Sequence, residues 1–331
     1  MKKGFLCLLL IVSSQIFAIQ HSHQIPSFFA ELLMWQVREV SDDNWGQLLG
    51  PVGTYQQNQF LSIPFAFSPG LRVGFGLHNE ERPCNILVYY TGYQTRGKNH
   101  VATNNGEVHS AYLGNFFAQN LNGAGLSGPY YKQAGINWQV QLHSLDLELG
   151  RSIIIDNLVN LRPYVGLKGS AIRQSLKTNW QRPFNNTTKM PITTFSYANE
   201  NITNNFKGIG PSVGLKSTWY LVQAPKQALN LRGDFSGAFL WGRWTITDVY
   251  QNNTPVSITI QNDKMSTGAP MARGYLGLEW ANAFNHANLT IRIGYEGQVW
   301  FNQLRYYSFD MGRTNDSLFF HGGVFDVSLH V

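Results

Sequence analysis

The 331-residue chain carries 13% charged and 14% aromatic residues, with 32 glycines, 9 tryptophans and a formal net charge of +6. An ordinary soluble domain has about 25% charged residues, and the positive balance is spread along the chain without a Lys/Arg run, so no nucleic-acid partner is expected. With only Cys7 and Cys84, a disulfide framework is excluded.

The N-terminus reads as an export signal. Met1-Lys2-Lys3 is a basic n-region, "GFLCLLLIVSSQIF" is an apolar h-region, and Ala18 suits the position before a cleavage site. The apolar run falls short of the roughly 20 residues that span a bilayer as a helix. Residues 1–18 are therefore expected to form a signal peptide that removes Cys7, and residues 19–27 a periplasmic leader. Residues 28–331 are expected to form the folded domain. The leader would begin Ile19-Gln20-His21, which could offer Cu(II) or Ni(II) a planar nitrogen set. A solvated leader is the plainer reading, and no metal or other cofactor is assigned.

Strands follow at about 28–38, 67–78, 84–95, 133–150, 161–176, 206–221, 229–244, 271–280, 288–302 and 317–331. "LRVGFGL" (71–77) sets Leu71, Val73, Phe75 and Leu77 against Arg72. "LRPYVGLKGSA" (161–171) sets Val165 and Leu167 against Arg162 and Lys168. "GIGPSVGLKSTWYL" (208–221) sets Ile209, Val213 and Leu215 against Ser212 and Lys216, and "LNLRGDFSGAF" (229–239) sets Leu231 and Phe235 against Arg232 and Asp234. "LTIRIGYEGQV" (289–299) sets Ile291 and Ile293 against Arg292 and Glu296. Alternation sustained over about ten residues is the length a tilted strand needs to cross a membrane. Segments 28–38 and 84–94 are ambiguous in facing. In "WQVQLHSLDLELG" the apolar parity switches from Trp138, Val140 and Leu142 to Leu145, Leu147 and Leu149, which predicts a β-bulge near His143-Ser144.

Almost every strand charge shares the polar parity. A Lys or Arg facing lipid at mid-depth costs about 2–4 kcal/mol, so the uncharged face is expected to meet lipid and the charged face a lumen. The lumen-facing candidates are Arg72, Asp146, Glu148, Arg162, Lys168, Lys216, Arg232, Asp234, Glu279, Arg292 and Glu296. Lys207 and Arg173 break the parity, at strand ends where an interface tolerates them. In a narrow barrel the lumen charges would pair with one another; in a wider one they would form a selectivity field for ions.

The links alternate short ("HNEERP", "QAPKQ", "NAFNH") with long (96–132, 177–205, 245–270), the asymmetry of outer-membrane barrels. The expected fold is all-β: an antiparallel up-and-down transmembrane barrel of about 10 strands, with long extracellular loops and short periplasmic turns. Extra hairpins at 52–66, 108–118, 192–198 or 256–260 would raise the count to 12–14 or extend the barrel above the membrane. Trp45, Tyr130, Tyr131, Trp180 and Phe184 fall in predicted loops and read as exposed binding aromatics. His109-Ser110 and Asp248 fall in different loops without a nucleophile motif, so no catalytic residue is assigned and no enzyme is expected.

The chain closes on "GGVFDVSLHV", with Phe325, Val327, Leu329 and Val331 on one parity. A membrane barrel leaves no strand edge unpaired, so this segment is read as the closing seam and as an assembly signal for the barrel-assembly machinery.

"DLELGR" (146–151), "LRPYVGLKG" (161–169), "FKGIGPSVGL" (206–215), "IRIGYEGQVWFNQ" (291–303) and "FFHGGVFDVSL" resemble the major outer membrane protein family of Legionella. That resemblance implies a pore-forming, surface-exposed barrel in the outer membrane of a Gram-negative bacterium, with some members implicated in contact with host cells. Two functions stay open: a porin-like pore for small solutes or ions, and a non-conducting barrel anchoring adhesive or ligand-binding loops. The partners to weigh are outer membrane lipid, the assembly machinery, small solutes or ions, a host-surface ligand and a second copy of the chain.

Overall fold

The protein is described by a computed structural model covering residues 24–39, 44–50, 59–79, 84–110, 130–155, 158–185, 190–254, 257–284, 287–308 and 312–330. The expected signal peptide, the Ile19-Gln20-His21 segment and Val331 lie outside the described residues.

Among the described residues, fourteen strands make one antiparallel sheet. In chain order they are β1 Gln24–Glu39, β2 Asn44–Leu49, β3 Gln59–Ser62, β4 Ser68–Asn79, β5 Cys84–Ala102, β6 Glu107–Ser110 and β7 Tyr130–Arg151. There follow β8 Ile153–Ile155, β9 Val159–Phe184, β10 Tyr197–Gln223, β11 Gln227–Asn252, β12 Ser257–Ala283, β13 Asn288–Ser308 and β14 Gly312–His330. Ten of them form the closed ring β1-β4-β5-β7-β9-β10-β11-β12-β13-β14, completed where β14 pairs with β1 from Ser27↔His330 to Glu39↔Leu318. The short strands β2, β3, β6 and β8 pair onto the ring or onto one another outside it. The closed ring is thus the expected ten-stranded barrel. Closure gives each of the ten ring strands a partner on both sides, which hydrocarbon requires.

Seam geometry depends on one glycine. A Cβ on Gly322, whose φ is +156°, would sit 2.0 Å from the Met34 carbonyl oxygen of the facing strand, so a side chain there would push the two closing strands apart. Phe325, Val327 and Leu329 face outward along the same strand, between 39 and 45% exposed.

Outside, the lower barrel wears an apolar belt that includes Val165, Val213, Phe235, Leu276 and Ile293. The strands run well past that belt. β10 has 27 residues and β11 has 26, whereas about 9–11 suffice for a membrane crossing. Much of what the sequence offered as long loops, 177–205 and 245–270, is strand that raises the barrel above the membrane.

The interior changes character with height. Low in the barrel it is charged. Higher up it holds Trp35, Trp138, Trp180, Trp244, Phe206 and Phe320, each at most 1% exposed, in one apolar cluster. This inversion corrects the predicted bulge. β7 pairs with β5 and β9 without a register shift through His143-Ser144, so Trp138, Val140 and Leu142 face inward on the same parity as Asp146 and Glu148. The apolar residues change sides because the solvents do: below, lipid lies outside; above, water lies outside and the core within. Register shifts occur instead at Tyr220/Val222, Trp244/Ile246 and Trp300/Leu304.

The exposed-aromatic expectation is corrected for the same reason. Trp45, Tyr131 and Trp180 are fully buried and Phe184 is 5% exposed. Trp45 and Trp180 rings lie 5.7 Å apart and Tyr131 lies 5.5 Å from Trp180. They are core of the extension. Tyr130 is half-buried, its ring 5.9 Å from Phe184.

Candidate functional site

Alternation along each strand throws one residue in two into the lumen, and the eleven sequence candidates all lie in one ion-paired belt there. Asp146 and Lys168 are direct register partners on β7 and β9 and pair at 2.5 Å. Glu148, two residues along, takes Arg162 at 2.9 Å, Lys216 at 2.8 Å and the Tyr89 hydroxyl at 3.0 Å. Arg232 pairs with Glu279 at 3.3 Å, and Arg292 with Asp326 at 2.7 Å.

A second set of contacts crosses the barrel. Arg72 on β4 donates to Glu31 on β1, and both ends of its fork reach Glu296 on β13, at 3.0 and 2.8 Å. Glu296 is also held by Arg273 at 2.8 Å, Arg273 pairs with Asp234 at 3.3 Å, and the Tyr164 hydroxyl donates to Asp234 at 3.4 Å. The chain Arg72–Glu296–Arg273–Asp234–Tyr164 therefore runs from β4 through β13, β12 and β11 to β9. Arg72 is 2% exposed and Glu296 fully buried.

Among the described residues the belt is balanced in charge. Arg72, Arg162, Lys168, Lys216, Arg232, Arg273 and Arg292 are seven cations; Glu31, Asp146, Glu148, Asp234, Glu279, Glu296 and Asp326 are seven carboxylates. Sequence reasoning missed three of these. Glu31 sat in the segment of ambiguous facing. Asp326 lies between the apolar positions of the terminal segment, on the parity that the other strands use for the lumen. Arg273 shares parity with Tyr275 and Glu279, a signal that would have found it.

Most of the belt's charges, Arg72, Asp234, Arg292 and Glu296 among them, line a cavity of about 510 Å³ that continues toward the end bearing the short turns, where its wall includes His78, Asn85, Asn160, Thr290 and His330. Above it the lumen is filled. Trp35, Tyr93 and Phe320 pack with ring centres 5.5 to 6.3 Å apart. Phe206 lies 4.3 Å from Trp244, whose other neighbour is the Arg305 guanidinium at 4.1 Å. Lys168 sits 5.8 Å from the Trp300 ring, joining the charged belt to the aromatic level.

Higher still, well above the apolar belt, Asp248 on β11 is fully buried. Burial pushes its pKa up to about 7, and a hydrogen bond with Glu200 offsets only part of the rise. Around it Tyr250 is pushed up to about 12, chiefly by burial. His109, by contrast, lies on β6 against the Tyr130 ring at 5.0 Å. At the top of the extension a cavity of about 590 Å³ is lined by Lys132, Arg182, Pro183, Phe184, Ile192 and Phe195 among others. The Lys132 ammonium stands 4.5 Å from the Phe184 ring there.

The model of a protein family described as the Legionella pneumophila major outer membrane protein precursor matches residues 26–331. Comparison with curated protein sequences returned no match. Among solved structures, the outer membrane protease OmpT of Escherichia coli is 9% identical, with 92% of this chain and 96% of that one covered at a TM-score of 0.40. The Pseudomonas putida toluene transporter TodX is 10% identical, with 95% and 90% covered at a TM-score of 0.33. At such scores neither likeness carries substrate or chemistry to this chain.

Proposed function

The chain belongs to the Legionella major outer membrane protein family, and from that premise we propose that this member is a closed outer-membrane barrel whose work lies in the β extension it presents at the cell surface. The observation that carries this reading is the state of the lumen. A ten-stranded barrel is only slightly wider than the eight-stranded kind that side chains fill. Here seven cations and seven carboxylates neutralise one another across it, and an aromatic layer closes it a second time above. A diffusion pore needs a continuous water-filled path; paired charges below an aromatic layer support a lock instead. The pore for small solutes or ions, the other reading open from the sequence, draws support from the family alone.

The extension supplies what a binding surface needs. Its core of buried aromatics makes it rigid, and its tip offers the cavity between Phe184, Phe195, Lys132 and Arg182, apolar with two cations at the rim. A host-surface or other macromolecular ligand with an apolar group beside a negative charge fits that chemistry. No catalysis is assigned: Asp248 is sealed inside β11 while His109 lies on β6. In the same reading β14, with Phe325, Val327 and Leu329 outward, delivers the chain to the assembly machinery and then closes the ring.

The test is swelling of liposomes holding the refolded protein in a gradient of small sugars or amino acids. We expect rates no higher than those of protein-free liposomes. Swelling at the rate of a general porin would overturn the closed-barrel reading, whereas binding by the tip would be followed separately with Arg182→Ala.

A further inference from the structure

The outward-facing charges that broke strand parity are not scattered. On β10 the last exposed apolar residue of the belt is Ile209, 63% exposed, and on β11 it is Trp241, 62% exposed. Two residues further up, on the same outward faces, stand Lys207 and Arg243, which are direct register partners. Arg173 occupies the corresponding level of β9, two residues beyond Ala171, which pairs with Lys207. Above it Lys98, Asn137 and Lys177 are successive partners across β5, β7 and β9, placing the two lysine Cα atoms about 10 Å apart. Arg96 completes the patch, its guanidinium on Gln139 at 3.1 Å.

Among the described residues, no carboxylate of these five strands lies on the outward face beside Lys98, Arg173, Lys177 and Lys207. The acidic residues of β5, β7, β9, β10 and β11 are Asp146, Glu148, Glu200, Asp234 and Asp248, and all five are buried inward. Between the cations the outer surface is amide and hydroxyl: Gln94, Asn137, Gln139, Ser175, Asn179, Asn201 and Asn205. A shallow groove of about 490 Å³ runs between Lys98, Asn137, Lys177 and Asn179.

Height decides which anion. The patch starts one residue pair above the lipid-facing apolar belt, on the side of the long strand extensions, which is the level of headgroups in the outer leaflet. We propose that this cationic patch is a binding site for the phosphate groups of anionic glycolipid headgroups in the outer leaflet. Lys207 and Arg173 form the lower tier, and Arg96, Lys98 and Lys177 the upper. Arginine and lysine donors suit phosphate oxygens, and the flanking amides suit sugar hydroxyls. The site would fix the barrel's depth in an asymmetric membrane and is independent of whether the lumen conducts.

The experiment reads the thermal midpoint of the heat-modifiable gel shift for protein refolded in zwitterionic vesicles, with and without diphosphorylated lipid A. The wild type is expected to gain several degrees with lipid A. The variant Lys98→Gln/Arg173→Gln/Lys177→Gln/Lys207→Gln is expected to match the wild type in zwitterionic vesicles and lose the gain. Should that variant fail to fold, Lys98→Gln/Lys177→Gln alone is expected to lose about half of it. A variant that keeps the full gain overturns the proposal, as does an equal gain with dephosphorylated lipid A. An equal gain from inorganic phosphate alone assigns the site to the free anion and overturns the lipid reading.

Discussion

Replacing Arg72 with Met tests the lock at its most connected cation. Arg72 is 3% exposed in its side chain and holds Glu31, both oxygens of Glu296 and the Thr91 hydroxyl at 3.0 Å. Methionine keeps much of the stem's volume and removes every donor. Glu296 keeps Arg273 at 2.8 Å, but the belt is left one cation short and Glu31 loses its arginine. Removing one partner of a buried ion pair costs about 3–5 kcal/mol. Glu296→Gln is the informative contrast, because it leaves Arg72 on Glu31 and Arg273 on Asp234, each cation keeping a carboxylate. Its expected cost is about 1.5–3 kcal/mol, that of a charged hydrogen bond weakened to a neutral one. Urea unfolding in lipid vesicles, followed by tryptophan fluorescence, measures both. A loss below about 1 kcal/mol for Arg72→Met, or a larger loss for Glu296→Gln than for Arg72→Met, would refute the belt as a charge-matched lock.

Three further outcomes follow from other parts of the barrel. Val213→Arg, mid-belt and 59% exposed to lipid, is expected to cost about 2–4 kcal/mol, while Asn201→Arg, outward but above the belt, stays within about 0.5 kcal/mol; equal costs in vesicles would remove the membrane assignment of β10. Asp248 gives up its proton near 4 when unfolded and near 7 when folded, so the native state binds more protons between those values. Stability should therefore fall as pH rises from 4 to 7. Asp248→Asn should flatten urea midpoints measured across that range, and an unchanged slope would assign the effect elsewhere. Gly322→Val should block closure of β14 on β1, since its Cβ would strike the Met34 carbonyl, and is expected to abolish the folded band on unheated gels of outer-membrane fractions; a normal folded band would contradict the seam geometry.

The membrane part of this fold was legible because lipid enforces parity. Val165, Val213 and Phe235 could be placed outward, and Lys168, Lys216 and Asp234 inward, from alternation alone. The extension was not legible because the rule reverses there. Trp138, Val140 and Leu142 face the same way as Asp146, and a reader who assumes one inside polarity must invent a bulge. β1 shows the difficulty within a single strand: Leu32 and Met34 face lipid while Leu33, Trp35 and Val37 face the core. Both parities are apolar, so Glu31 could not be placed. The pairing of the lumen charges rests on partners far apart in sequence, such as Arg72 with Glu296. Only ring closure brings them together. The outward cations Arg173 and Lys207 were visible as parity exceptions, yet their neighbourhood with Lys98 and Lys177 depends on register across four strands.

The most direct measurement of the central claim is single-channel current across a planar bilayer holding the refolded, heat-modifiable protein, recorded at moderate voltage in symmetric salt. A lumen locked by balanced ion pairs and sealed by the Trp35–Phe320 and Phe206–Trp244 layers should give no stable unitary steps. Reproducible steps of porin size from the wild-type protein would contradict it.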